Sequence, residues 1–327
     1  MGLDAKMTDI LKFSLLGPFK DRVALKYMAF IFVFALIVGV VSNYLVYSVF
    51  GPFVKNPNLL ADPSFATGAL FQFFGFFGAI IVLYAIVLCA MQYLLMARAL
   101  KILGMGSQPA SATGVAKLIV TGIAHMLCAL FSVFNLKMLL VGIAGVVLLI
   151  VGALMLSMMV TAPAIAFIGA VMLLVGVLAL IGYVVIIIYN SVRLSVSEVA
   201  LVSKGLSVAD SLRLSWEKAE GNVLNIFVIG LVLSVVLSVI NIVLSMPGSI
   251  YSFIVQIMGQ TSLGILVDPT YAVLLVPSYM SSAFMITASV FYVTSIYANL
   301  SGEKKAGTAA PKAAPRAASK AKKKAKK

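Results

Sequence analysis

Groups that do chemistry are scarce in this chain. Its 327 residues include one histidine, two cysteines, one tryptophan and ten acidic residues, and charged residues make up only 10% of the total. Cys89 and Cys128 lie in apolar sequence, without CxxC spacing or companion histidines, which excludes a disulfide framework and a zinc site. They read as small packing residues. His125 is the only imidazole, so any Ser-His-Asp arrangement would have to use it. A histidine bonded to a neighbouring hydroxyl or carbonyl is the ordinary alternative. The patterns GxxxxGKS/T, GxSxG and HExxH are all missing. No catalytic set, metal or cofactor is expected.

What is abundant is apolar sequence. Hydrophobic residues make up 62% and the mean hydropathy is +1.13, far above what a soluble globular chain carries. Several runs reach the roughly 20 residues that cross a bilayer as a helix, and they are too long for the alternating strands of a barrel. The fold class is therefore all-α, a polytopic membrane helical bundle. Spans are expected at 27–50, 68–97, 137–160, 163–191, 222–245 and 271–298, the first a retained anchor. A cytoplasmic segment, 1–26, precedes this six-span domain of 27–300.

The stretch 112–134 is ambiguous. Lys117, Thr121, His125, Cys128 and Ser132 form a single polar stripe on an otherwise apolar helix, which suits an interfacial helix or a crossing helix with a polar neighbour. Basic residues decide, because short cytoplasmic loops retain Lys and Arg. If 112–134 stays at the interface and the N-terminus is inside, Lys55 alone of 24 basic residues falls outside. If it crosses, the basic residues divide between the two sides. Six spans with both termini cytoplasmic, in the cell membrane, is the expectation.

The segment SLRLSWEKAEGN, 211–222, then lies on the cytoplasmic face. Gly205 breaks the chain, Ser207 and Asp210 make an N-capping arrangement, and Gly221–Asn222 offers a stop, predicting an interfacial helix over 207–220. Val208, Leu212 and Trp216 share one face of it, and Trp216 with Arg213 is expected to anchor it among headgroups.

The residues Glu198, Gly205, Ser207, Ala209, Arg213, Ser215, Gly221 and Asn222, followed by an apolar span, resemble the signature of a bacterial and archaeal six-helix membrane protein family. That family includes the membrane domain beside some glycerophosphoryl diester phosphodiesterases. The resemblance implies a fold and topology. It brings no phosphodiesterase activity, because that chemistry needs a soluble domain with histidines and metal-binding carboxylates. Val223-Leu224-Asn225 stands where an aromatic residue is common in the family, and the long basic tail is also a departure.

None of the ten acidic residues falls inside the six expected spans, which speaks against proton or sodium relays. Asn43, Asn190 and Asn241, with His125 and Glu198, are the candidates for a polar seam or ligand contact. Interhelical hydrogen bonding is their commoner role. Gly145 with Gly152, and Gly169 with Gly176, are seven apart and suit close packing of the third and fourth spans. The apolar stretch within 246–270 suits a packed loop, a re-entrant segment or a lid.

The tail, 301–327, has ten Lys or Arg and no Val, Ile, Leu, Phe, Tyr or Trp, so it cannot bury a core and should be disordered. Lys320, Lys322, Lys323, Lys324, Lys326 and Lys327 are expected to contact anionic lipid headgroups. Nucleic acid or a ribosome would be drawn by the same charge, but without interleaved aromatics there is no stacking platform. The expected role is an accessory or lipid-interacting scaffold, with membrane lipids and a membrane-protein partner as its contacts. The alternative is a passive transporter or channel for a small polar solute or lipid.

Overall fold

Helices begin where the chain can satisfy their first amide groups. In the computed structural model, which describes residues 6–302 apart from 57, 60–62, 135, 159–160 and 260–261, Asp21 separates two of them. α1 (Met7–Lys20) ends before it, and α2 (Arg22–Lys55) starts after it, with Asp21 Oδ1 accepting from the amides of Val23 and Ala24 at 3.0 and 2.8 Å. The same carboxylate receives Nη2 of Arg98 at 2.6 Å and Nε at 2.9 Å. This fork-shaped pair joins the start of α2 to the end of α3 (Pro63–Ile102). At 40 residues, roughly 60 Å, α3 is far longer than a hydrocarbon core is thick.

α4 (Ala112–Leu130) is capped by Ser111, whose hydroxyl accepts from the Gly114 amide. α5 (Leu136–Leu156) and α6 (Pro163–Leu194) form an antiparallel hairpin. Its helices approach so closely that a Cβ on Gly152 would stand 2.8 Å from the Gly169 carbonyl oxygen. The expected packing role of the spaced glycines is what the structure contains. Two short helices follow, α7 (Ser197–Lys204) and α8 (Val208–Lys218). Gly205, at φ +66°, closes the first, and Ser207 caps the second by accepting from the Asp210 amide. α9 (Val223–Ile257), α10 (Ser262–Ile265), α11 (Pro269–Leu274) and α12 (Val276–Ser301) complete the order. The described residues contain no strand.

Seven helical stretches are long and apolar enough to cross a membrane: α2, α3, α4, α5, α6 with α7, α9, and α11 with α12. Each of the six expected spans falls on one of these stretches, residues 159–160 of the third lying outside the described residues, and α4 is the additional stretch. Several boundaries differ from expectation, three of them with structural consequences. Within the expected segment 1–26, residues 7–20 form a helix packed on α12 through Phe13–Phe291 and Phe19–Phe284 ring contacts. α2 begins at Arg22. α9 runs through Pro247 to Ile257, so most of the supposed external loop is helical; Tyr251 there donates to Asp268, the cap of α11. A proline removes one amide donor, and in an otherwise continuous apolar run that loss does not stop the helix.

The fully buried core lies at one end of the bundle. Tyr93, Leu95, Met96, Ala99 and Leu100 of α3 meet Val199 to Val202 of α7 and Phe291, Ile296 and Tyr297 of α12. Elsewhere large apolar side chains face outward, as on α5, where Leu140, Ile150 and Leu154 are all more than half exposed. A chain in water would collapse around such surface, whereas in lipid it has nothing to gain by hiding it.

Arg98, through its hydrogen bond, pulls the Asp21 carboxyl down to about 2, against a usual value of 3.8. A carboxylate with a depressed folded-state value stabilises the fold above its unfolded value and loses that contribution as the pH falls through the folded one. Between pH 5 and pH 2 the wild type should therefore lose about 2 kcal/mol of stability that Asp21→Asn never has, read as converging melting temperatures in detergent. Gly152→Leu should splay the α5–α6 hairpin at a cost of about 1–3 kcal/mol, visible in the same melting measurement.

Candidate functional site

α7 is buried on every side except around Glu198 and its C-terminal end, and the polar groups of the molecule gather near it. Apart from Lys117, which is exposed, the stripe on α4 points toward this helix rather than outward. Thr121 is fully buried and donates to the Lys117 carbonyl, Ser132 is buried, and His125 is half-buried and hydrogen-bonds the backbone of Ser191. Val120, Ile123, Met126 and Leu127 take the exposed side. α4 is thus apolar outside and polar inside, the reverse of an amphipathic helix lying on water. Its neighbours run from the buried end into the α5–α6 hairpin: Tyr93 of α3 lies against Gly114, Glu198 of α7 against Gly122, and Tyr183 of α6, which packs on Gly142 of α5, donates to the Leu130 carbonyl.

Asn190 of α6 is buried and donates to the Ala129 carbonyl at 3.3 Å and to Ser132 Oγ at 3.0 Å, fixing the turn that ends α4. Ser132 there has φ +49°, a left-handed conformation that a non-glycine residue adopts only when held. Glu198 is half-buried, and a Cβ on Gly122 would sit 3.4 Å from its Oε1. It has no hydrogen bond or ion pair among the described residues.

Arg193 supplies the part that sequence reasoning missed. It is 8% exposed, and it donates from Nη2 at 2.8 Å and Nε at 3.2 Å to the Trp216 carbonyl. Its guanidinium also lies 4.0 Å from the Trp216 ring centroid, with Phe134 stacked on that indole at 4.8 Å. Ser215 returns a hydrogen bond to the Arg193 carbonyl at 2.7 Å, and Glu220 stands 3.5 Å from Nη2. Cation, indole and phenyl ring therefore clamp α8 to the end of α6. Besides the headgroup contact expected for it, the half-buried Trp216 ring is thus held by protein on its Arg193 and Phe134 sides. Arg213 is exposed and pairs with Glu217 one turn along, at 3.0 Å. The available signal was an arginine at the end of an oily run.

The remaining candidates do not converge. His125, Asn190 and Glu198 share the α4–α6–α7 seam, but Asn43 on α2 and Asn241 on α9 lie elsewhere and make no side-chain hydrogen bond among the described residues. Asp210, a carboxylate that a site around His125 could have used, is exposed and bonded to Ser207 at 2.6 Å. Among the described residues no group of three or more His, Cys, Asp or Glu is placed to hold a metal. Lys320, Lys322, Lys323, Lys324, Lys326 and Lys327 lie outside the described residues.

Arg193→Ala should free the indole from its clamp. Because Trp216 is the sole tryptophan, its fluorescence reports this directly, and acrylamide quenching should rise well above the wild-type level. Asn190→Leu should cost about 1–3 kcal/mol in melting experiments, since it leaves the buried Ser132 hydroxyl without its donor.

Comparison with family models, with curated proteins and with solved structures yields no match to this chain.

Proposed function

We propose that this protein is an accessory, lipid-interacting scaffold of the cell membrane, with six spans and both termini in the cytoplasm. The observation that carries the role is the disposition of its polar groups. Thr121, Asn190, Ser132 and Arg193 make hydrogen bonds within the buried end, while grooves between helices are lined by side chains that belong to the outer surface. One such groove is walled by Val185, Ile188 and Tyr189 of α6 with Val223, Leu224 and Phe227 of α9. Apolar grooves of this kind suit acyl chains and partner helices, whereas a conduit for a polar solute needs polar groups facing a shared passage.

The six-span arrangement draws support from α4, whose contacts with α3, α7 and α8 lie at the buried end. α4 there packs beside the ends of α3 and α6 and need not cross. Basic residues Lys12, Lys20, Arg22, Lys26, Lys101 and Lys117 cluster at this end and Lys55 lies at the other, which favours the buried end as the cytoplasmic one. The resemblance of 198–222 to the six-helix family agrees with that topology. The basic tail, by composition, adds attraction to anionic headgroups.

Reconstitution tests the role. Purified protein should carry phospholipid in native mass spectrometry, and vesicles containing it should release small polar solutes no faster than protein-free vesicles. Release well above that background would overturn the scaffold in favour of passive conduction. For topology, a cysteine introduced at Lys55 in a chain lacking Cys89 and Cys128 should react with an impermeant reagent on intact cells, and one at Lys218 should not.

A further inference from the structure

We infer that the groove between α1, α2, α9 and α12 is a binding site for one anionic phospholipid, its acyl chain in the groove and its headgroup on Lys20, Arg22 and Lys26. The inference rests on the lipid-interacting role proposed above and gives it a place. The groove has a volume of about 490 Å³ and is walled by Phe19, Met28, Phe32, Ile240, Leu244 and Phe284. Phe19 and Met280 are more than half exposed, so the groove opens to the surrounding membrane and not to a closed interior.

Two observations select the occupant. The first is charge. Phe19 on the wall is followed directly by Lys20, and Arg22 and Lys26 lie within two turns of Ala29, which also lines the groove. All three basic side chains are exposed and none has an ion pair among the described residues. The only carboxylate in that stretch, Asp21, is already held by Arg98. Three uncompensated cations beside an apolar channel favour a lipid of net negative headgroup charge over a zwitterionic one, whose phosphate is offset by its own cation. The second is Ser281. It lines the groove, is 1% exposed, and its hydroxyl has no hydrogen-bond partner. A buried hydroxyl without a partner is uncommon. Ser281 lies one turn from Phe284, whose ring contacts Phe19, so it is placed to donate to an ester carbonyl just below a headgroup on Lys20.

The tail also attracts anionic lipid, so the test must separate groove from tail. Full-length protein would be equilibrated with equal phosphatidylglycerol and phosphatidylcholine in mixed micelles, and retained lipid read by native mass spectrometry. The wild type should prefer phosphatidylglycerol. Ala29→Trp, which fills the groove from an exposed position, should reduce retention of both lipids while leaving the tail untouched. The triple change K20Q/R22Q/K26Q should keep retention but lower the preference by about fivefold for each basic group removed, less whatever salt screens. A wild-type experiment avoids dependence on the variants folding: phosphatidylglycerol with a photoreactive acyl chain should label peptides containing Met28–Phe32 or Met280–Phe284. Labelling confined to other helices, or variants that retain and select lipid as the wild type does, would remove this site and leave a scaffold that binds lipid elsewhere. Absence of any retained lipid would remove both.

Discussion

A bundle of this composition holds together under an unusual constraint: the solvent around it is as apolar as its own side chains. Burying leucine against leucine gains little when the alternative is leucine against lipid. Cohesion then has to come from close backbone approach, from hydrogen bonds and charges shielded from water, and from packing where the chain leaves the hydrocarbon. The three appear in different places. Glycines bring α5 and α6 into contact, Asp21 with Arg98 and Arg193 with Trp216 tie helix ends together, and α7 fills the centre of the one core that is buried as a soluble protein's would be.

Placing the core at one end organises the rest. α7 has eight residues and could not stand alone, yet it touches α3, α4, α8 and α12. The loops leading to it also bond each other, with the Gln108 amide donating to the Val202 carbonyl at 2.9 Å and Ser203 to the Gly106 carbonyl at 3.3 Å. α4 completes this cap by turning its hydroxyls and imidazole inward. The outer halves of the long helices are left to face one another across grooves. A buried end tied by these bonds, with outward-facing apolar helices beyond it, suits a protein whose work is done by surfaces.

Much of this was legible along the chain. Helix class and membrane setting follow from apolar run length alone, because a backbone in hydrocarbon has no other way to bond its amides. The α8 boundaries followed from Gly205, Ser207 and Gly221, and the α5–α6 contact from glycines seven apart, since capping and close approach depend on residues near in sequence or on one helix face. Misjudged boundaries have an equally local cause. Proline and polarity near Pro247 suggested a loop, while the continuing apolar run sustained a helix.

The candidate site was legible only as a set of residue types. Composition marked His125, Asn190, Glu198 and Trp216 as exceptional, and it could say that a stripe on α4 needed a polar partner. That the partner is α6 and α7, that Trp216 rests on Arg193, and that Arg98 reaches back 77 residues to Asp21 are matters of which helices meet. Periodicity assigns a face to a helix but not the neighbour that covers it. In this chain most faces are apolar and almost interchangeable in lipid, so the few charged and hydroxyl-bearing positions settled the arrangement, and their pairings exist only once the helices have come together.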